Sequence, residues 1–169
     1  MTRAVLSVGS NVGDRRGHLA AVLAATAPWL RAVSSTYRTA PWGGVDQDDF
    51  LNLVVVVDDP QADARTWLDR AQALEADRAR DRSGAAVRWG PRTLDVDVLT
   101  VAEPDGTPVT SDDPVLVLPH PRLQERAFVL VPWAEIAPDD EVPGRGRVSD
   151  LVAALPDAER AGVAVEGRP

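Results

Sequence analysis

The sequence predicts an α+β sandwich: an antiparallel sheet of about six strands with helices packed on its faces. Three observations carry this. Short apolar or alternating runs recur at Ala4–Val8, Val33–Thr39, Phe50–Asp58 and Leu94–Val101, each bounded by turn residues. Two of the gaps hold stretches with a helical apolar stripe, which makes two β-α-β passes. No internal repeat or low-complexity linker divides residues 1–169, so a single domain is expected.

In order, Ala4-Val5-Leu6-Ser7-Val8 reads as the first strand and Gly9–Asp14 as a turn, with Asp14 capping the next helix. Leu19, Val22, Leu23, Trp29 and Leu30 share one stripe of a helix from about 15 to 31. His18 lies beside that stripe and reads as an exposed or half-buried helix residue. Val33–Thr39 is the second strand, followed by a loop rich in breakers from Ala40 to Asp49. Phe50–Asp58 is the third, and Asn52 is the polar exception in its apolar run. A buried amide there needs hydrogen-bond partners.

Pro60 and Asp63 start a second helix carrying Trp67, Leu68, Ala71 and Leu74, with Gln72 and Glu75 as surface neighbours. The strand through Asp95–Val101 should pair with a short element near Thr107–Thr110. Val115–Leu118 leads into Pro119-His120-Pro121, and Arg126–Val131 reads as another strand. Glu135–Pro138 is a turn, Ser149 caps a short helix through Leu155, and residues from about 157 look loosely held.

Composition removes several chemistries. There are no cysteines, hence no disulfides, thiolate nucleophiles or Cys-ligated metals. All 18 basic residues are arginine. Without lysine there is no P-loop lysine, Schiff base or lysine base. The net charge of -8 argues against nucleic acid as the main partner. No signal-peptide pattern and no membrane-length apolar run are present, so a cytoplasmic protein is expected.

The densest chemistry lies in Arg88-Trp89-Gly90-Pro91-Arg92-Thr93-Leu94-Asp95-Val96-Asp97. Strand alternation puts Asp95 and Asp97 on one face, with Cα atoms roughly 6–7 Å apart, and Leu94, Val96 and Val98 on the other. Carboxylates so placed suit a hard cation such as magnesium. Arginines just upstream suit phosphate, whose oxygens their planar fork matches. Acids for metal beside arginines for phosphate point to phosphoryl or nucleotidyl chemistry.

This stretch resembles the signature of the 6-hydroxymethyl-7,8-dihydropterin pyrophosphokinase family. Further motifs follow in the family's order: Val8–Gly13, Ser34–Pro41, Phe50-Leu51-Asn52, Pro119–Arg122 and Arg126-Ala127-Phe128. The resemblance covers about residues 4 to 138 and implies a ferredoxin-like form of the sandwich. It implies transfer of pyrophosphate from ATP to the pterin hydroxymethyl group with release of AMP. Asp95 and Asp97 would bind two magnesium ions. Arg80 and Arg92 would contact the transferring phosphates. Leu68, Gln72, Arg82, Arg88, Trp89, Val98, His120 and Arg126 would line the ATP side. Thr39, Ala40, Trp42, Phe50, Asn52, Asp95 and Phe128 would hold the pterin, with Phe50 and Phe128 stacking on its ring. ATP and the pterin would be the partners of a monomer, without nucleic acid or membrane.

The chain departs from the family pattern in places. The stretch from Glu75 to Arg88 is longer than usual, so Arg78 competes with Arg80. Phe50 stands where tyrosine is common, and Val115 and Val117 where polar nucleotide contacts often occur. Loops at about 43–49 and 82–91 are candidates to close over the site. Two other readings stay open: a non-catalytic ferredoxin-like ligand-binding module, and another metal-dependent nucleotidyltransferase.

Overall fold

The alternation in the apolar runs translates into one antiparallel sheet whose centre is the N-terminal strand. The structure is a computed structural model and describes residues 2–40, 48–79 and 93–169. In chain order its elements are β1 (Thr2–Ser10), α1 (Arg15–Thr26), β2 (Leu30–Val33), β3 (Thr36–Thr39), β4 (Phe50–Asp59) and α2 (Ala64–Ala79). There follow β5 (Asp95–Ala102), β6 (Pro108–Val109), β7 (Ser111–Asp113), β8 (Leu116–Leu118) and α3 (Ala127–Ile136). The chain continues through β9 (Glu141–Val142), β10 (Gly146–Arg147), α4 (Val148–Ala154), α5 (Asp157–Ala161) and β11 (Val163–Gly167).

The main sheet runs β11-β3-β4-β1-β5-β6, with β2 also paired to β4. Among the described residues it holds seven strands, close to the expected number of about six, and all these pairings are antiparallel. β1 is apolar on both faces because both are covered. On one side Ala4, Leu6 and Val8 pack with Leu19 and Val22 of α1 and Trp67 and Ala71 of α2. On the other, Val5, Val54, Val56 and Leu99 pack with Val129, Leu130 and Trp133 of α3 and Val148 of α4. The β1–β5 register slips between Val5 and Leu6, leaving Leu99 as an unmatched bulge residue. Asp95 and Asp97 therefore lie on the α3 side with Leu99, while Val96, Val98 and Val101 face α1 and α2.

Several expectations are corrected. β1 continues through Ser10, so Gly9 belongs to the strand and not the turn. Asp14 does cap α1, accepting from the Gly17 amide, but α1 stops at Thr26. Pro28 sits in a 3-10 turn, and Leu30 already belongs to β2. His18 is buried at 7% exposure, and among the described residues its Nδ1 has no hydrogen-bond partner. The single expected strand over Val33–Thr39 is two strands, broken at Ser34-Ser35, with the Ser34 hydroxyl accepting from the Val54 amide.

The largest difference is Arg126–Val131, expected as a strand and observed as the start of α3. A short all-apolar run does not separate a buried strand from a buried helix. The burial of Ala127, Leu130 and Trp133 at intervals of three is helical, and it extends past the six residues read as strand. Glu135 and Ile136 are the helix's last turn rather than a separate one. Arg147, not Ser149, occupies the N-cap of α4. Residues from about 157, expected to be loosely held, form α5 and then β11, which pairs with β3 from Val163–Thr39 to Gly167–Thr36.

Candidate functional site

Asp97 is the anchor of the site. It sits opposite Ser7 of β1, and Asp95 sits opposite Gly9, so both carboxylates project from β5 on the α3 side. The loop after β8 and the first residue before α3 bring cations to them. Arg126 donates from Nη1 to Asp97 Oδ2 at 2.9 Å. His120 Nε2 lies 3.9 Å from the same oxygen. Burial holds the His120 ring below the ordinary imidazole value; Arg126 and Arg145 push the same way, and the Asp97 carboxylate opposes them. At neutral pH the ring is uncharged, so the firm ion pair at Asp97 is with Arg126.

The backbone under these acids is also fixed. Near Val96 the outer edge of β5 lies beyond β6, which reaches only Val101 and Ala102. Glu75 of α2 fills that gap, its Oε1 accepting from the Val96 amide at 2.8 Å. An edge amide that would otherwise be unpaired is thereby satisfied midway between the two aspartates.

A second group lies two strands over. Asn52 is 3% exposed, and its Nδ2 donates to Thr39 Oγ1 at 2.8 Å. Phe50 shares that face, opposite Thr39. Asn52 stands across from Gly9. A Cβ on Gly9 would lie 2.7 Å from Asn52 Oδ1, so only glycine lets the amide sit there. Phe128, on the first turn of α3, is partly buried on this side and lies 5.7 Å from the Arg126 guanidinium. The structure thus gathers Asp95, Asp97, His120, Arg126, Asn52, Thr39 and Phe128 on the α3 side of the sheet.

Other expected site residues lie apart. Leu68 packs against the core on the α1–α2 side, and the Val98 side chain is buried in that same core. Val98 has only main-chain atoms to offer a ligand. Gln72 and Ala40 are exposed, and Val117 is half-buried near exposed Val115. Trp42, Arg80, Arg82, Arg88, Trp89 and Arg92 lie outside the described residues, as do both candidate closing loops apart from Asp48 and Asp49. Arg78, the competitor of Arg80, lies half-buried in the last turn of α2. A cavity of about 530 Å³ lined by Arg3, Asp58, Trp133, Asp139 and Asp140 is at the other end of the sheet and shares no residue with this cluster.

Three contributors were not legible as site residues. Gly9 reads as a turn residue, and Glu75 as a helix surface residue. Arg145 lies in a stretch with no motif; it donates to the main chain of His120 and Pro121.

Comparison with known proteins gives first the class. A crystal structure of HPPK-DHPS from Plasmodium falciparum superposes with a TM-score of 0.62 at 13% identity, over 90% of this chain. At that identity it establishes the fold alone, the α+β sandwich. This chain spans 43% of that longer one.

The family follows from sequence. The model of 7,8-dihydro-6-hydroxymethylpterin-pyrophosphokinase (HPPK) matches residues 5–138. The 2-amino-4-hydroxy-6-hydroxymethyldihydropteridine pyrophosphokinase of Mycobacterium tuberculosis is 44% identical over 167 residues, covering 95% of this chain and 87% of that protein. The enzyme of that name from Methylorubrum extorquens is 48% identical over 149 residues, covering 85% and 88%. This chain belongs to the 7,8-dihydro-6-hydroxymethylpterin-pyrophosphokinase family. Among the described residues no helix is long and apolar enough to cross a membrane.

Proposed function

We propose that this chain transfers a pyrophosphoryl group from ATP to the hydroxymethyl oxygen of 6-hydroxymethyl-7,8-dihydropterin, releasing AMP, in folate biosynthesis in the cytoplasm. The observation that carries this reading is the adjacency of two groups in a chain of this family. Asp97, His120 and Arg126 form a polar cluster suited to phosphate and cation. The Asn52–Thr39 pair offers a buried amide for the edge of a flat heterocycle.

Asp95 and Asp97 fit magnesium, which takes one or two carboxylates and completes its shell with water and substrate phosphate oxygens. Both are half-buried, so neither carboxylate is sealed from solvent. Magnesium held there would offset charge on the triphosphate.

This chain's own residues have the remaining roles. Asn52 orients the pterin, and its Nδ2–Thr39 bond fixes the amide's sense. Phe50 and Phe128 supply stacking surface for the ring. Arg126, freed from or shared with Asp97, and neutral His120 donate to nucleotide oxygens. Arg80 and Arg92 hold the transferring phosphates by the family pattern. The pterin hydroxyl releases its proton to solvent, and its oxygen forms its bond to the β-phosphorus as the bond from that phosphorus to the α–β bridging oxygen breaks. Charge then grows on the departing AMP, where arginine offsets it without lysine. Orienting the two substrates supplies much of the rate.

The test is a product assay with ATP, magnesium and the reduced pterin. AMP and pyrophosphorylated pterin are expected in equal amounts. ADP as the nucleotide product, or no turnover without a lesion in the protein, overturns the reading.

A further inference from the structure

We infer that Arg145 is a positioning residue for the nucleotide side of the site, acting through the main chain of the His120 loop. This rests on the proposed ATP reading and adds to it a residue beyond residues 5–138, where the family match ends.

Arg145 stands at the tip of the β9–β10 hairpin. Gly144 and Gly146 flank it with φ of 71° and 99°, a left-handed conformation that β-carbon residues resist. The Arg145 amide closes the turn onto the Val142 carbonyl at 2.9 Å. The base of the hairpin is fixed: Val142 is 1% and Val148 0% exposed, both in the α3-side core. The Val148 amide also bonds the Asp140 carbonyl at 2.9 Å. The hairpin is therefore a rigid arm that holds its arginine in one place.

That arginine reaches across to the loop before α3. Nη1 donates to the His120 carbonyl at 2.9 Å and to Gln124 Oε1. Nη2 donates to the Pro121 carbonyl at 3.3 Å. One planar fork thus ties two consecutive carbonyls and a side chain of the same loop. From the other side, the His120 amide bonds the Leu99 carbonyl of β5 at 2.8 Å. His120 is held between β5 and the hairpin, with its ring 3.9 Å from Asp97. Without the clamp, the two carbonyls lose a charged donor, and the segment from His120 to Arg126 loses its outer wall.

The decisive experiment measures binding of a non-hydrolysable ATP analogue with magnesium, and separately of the pterin, to the full chain. Arg145→Ala should weaken the analogue about tenfold and leave pterin affinity within about twofold. Arg145→Lys keeps the charge but cannot span three acceptors, so an intermediate loss is expected. In a His120→Ala background the Arg145→Ala effect on the analogue should largely vanish, because the two act through one element. Unchanged analogue affinity in Arg145→Ala overturns the inference. So do equal losses for both ligands with a lowered melting temperature, which is general destabilisation, and full additivity with His120→Ala, which is direct contact. Failure of the unaltered chain to bind the analogue counts against the ATP reading instead.

Discussion

Gly9 and Asn52 face each other across β1 and β4 so closely that a methyl group on Gly9 would stand 2.7 Å from the Asn52 Oδ1. Both are buried in regular strand, so neither can step aside cheaply. Gly9→Ala should push the amide off Thr39 and disturb the proposed pterin edge of the site. Overpacking of this kind costs about 1–3 kcal/mol. The pterin KM should rise at least about tenfold, corresponding to roughly 1.4 kcal/mol. The ATP KM should stay within about twofold, because Asp97, His120 and Arg126 do not touch Asn52. Steady-state kinetics with each substrate varied would show this; an unchanged pterin KM would mean that Asn52 does not meet the pterin.

Asp97 is only half-buried, and Arg126 and the neutral His120 ring stand beside its carboxylate. Removing it leaves Arg126 with access to water, so the fold should survive. Turnover should not. Asp97→Ala is expected to lower kcat on the order of a hundredfold or more, the scale of losing a group aimed at transition-state charge. The melting temperature should move by only a few degrees. Full activity in this variant would remove Asp97 from the metal assignment.

A stability prediction comes from the opposite side of the sheet. The Arg70 guanidinium lies 3.8 Å from the Trp29 ring and 4.7 Å from the Trp67 ring, and donates to Asp59 at 2.6 Å. Trp29 itself meets Trp67 edge to face at 6.0 Å. Partly desolvated cation–π contacts are worth about 1–2 kcal/mol. Arg70→Ala should therefore reduce unfolding free energy by at least about 1 kcal/mol while kcat holds, since α1 and α2 stand on the far face from Asp97. Arg70→Lys should recover little, because ammonium cannot stack flat on Trp29. Denaturant titration beside an activity assay separates the two effects.

Much of this site is written in local patterns. Asp95 and Asp97 share a face because strand side chains alternate, and a single bulge at Leu99, beyond both, does not disturb them. Asn52 stands out because an amide in an apolar run needs a partner, and Thr39 is that partner. What was not legible is set by distant packing. Arg126–Val131 is equally apolar as strand or helix, and only its burial over α3 decides. Leu30 fits the stripe of α1, yet β4 draws it into β2 opposite Val57. Gly9 looks like turn punctuation until Asn52 is seen across from it. Arg145 and β11 work through pairings 25 and more than 100 residues apart in sequence, respectively, which no local window carries.

Tyr37 is the only tyrosine in the chain. Its hydroxyl donates to Glu135 Oε2 at 2.8 Å, and Glu135 also accepts from the amide and hydroxyl of Ser35. Burial, then the bond to Glu135, then the charge of that carboxylate push the phenol from 10.0 up to about 12. The chain has neither lysine nor cysteine, so no other side chain titrates between about pH 9 and 12. Phenolate absorbance should thus report one group, with a midpoint near 12 in the folded protein and near 10.0 in denaturant. The folded state holds its proton to higher pH than the unfolded state. The stabilisation is therefore complete below pH 10 and is lost as pH rises towards 12, by an amount on the order of 2 kcal/mol. Tyr37→Phe lacks the titrating group and should show no such fall across that window. Glu135→Gln removes the charge but keeps an acceptor, so its phenol should titrate lower than in the unaltered chain and still above the denatured value, since burial remains. A folded-state midpoint at 10 in the unaltered chain would show that Tyr37 and Glu135 are not joined in solution, and that α3 is not tied to the start of β3 by this contact.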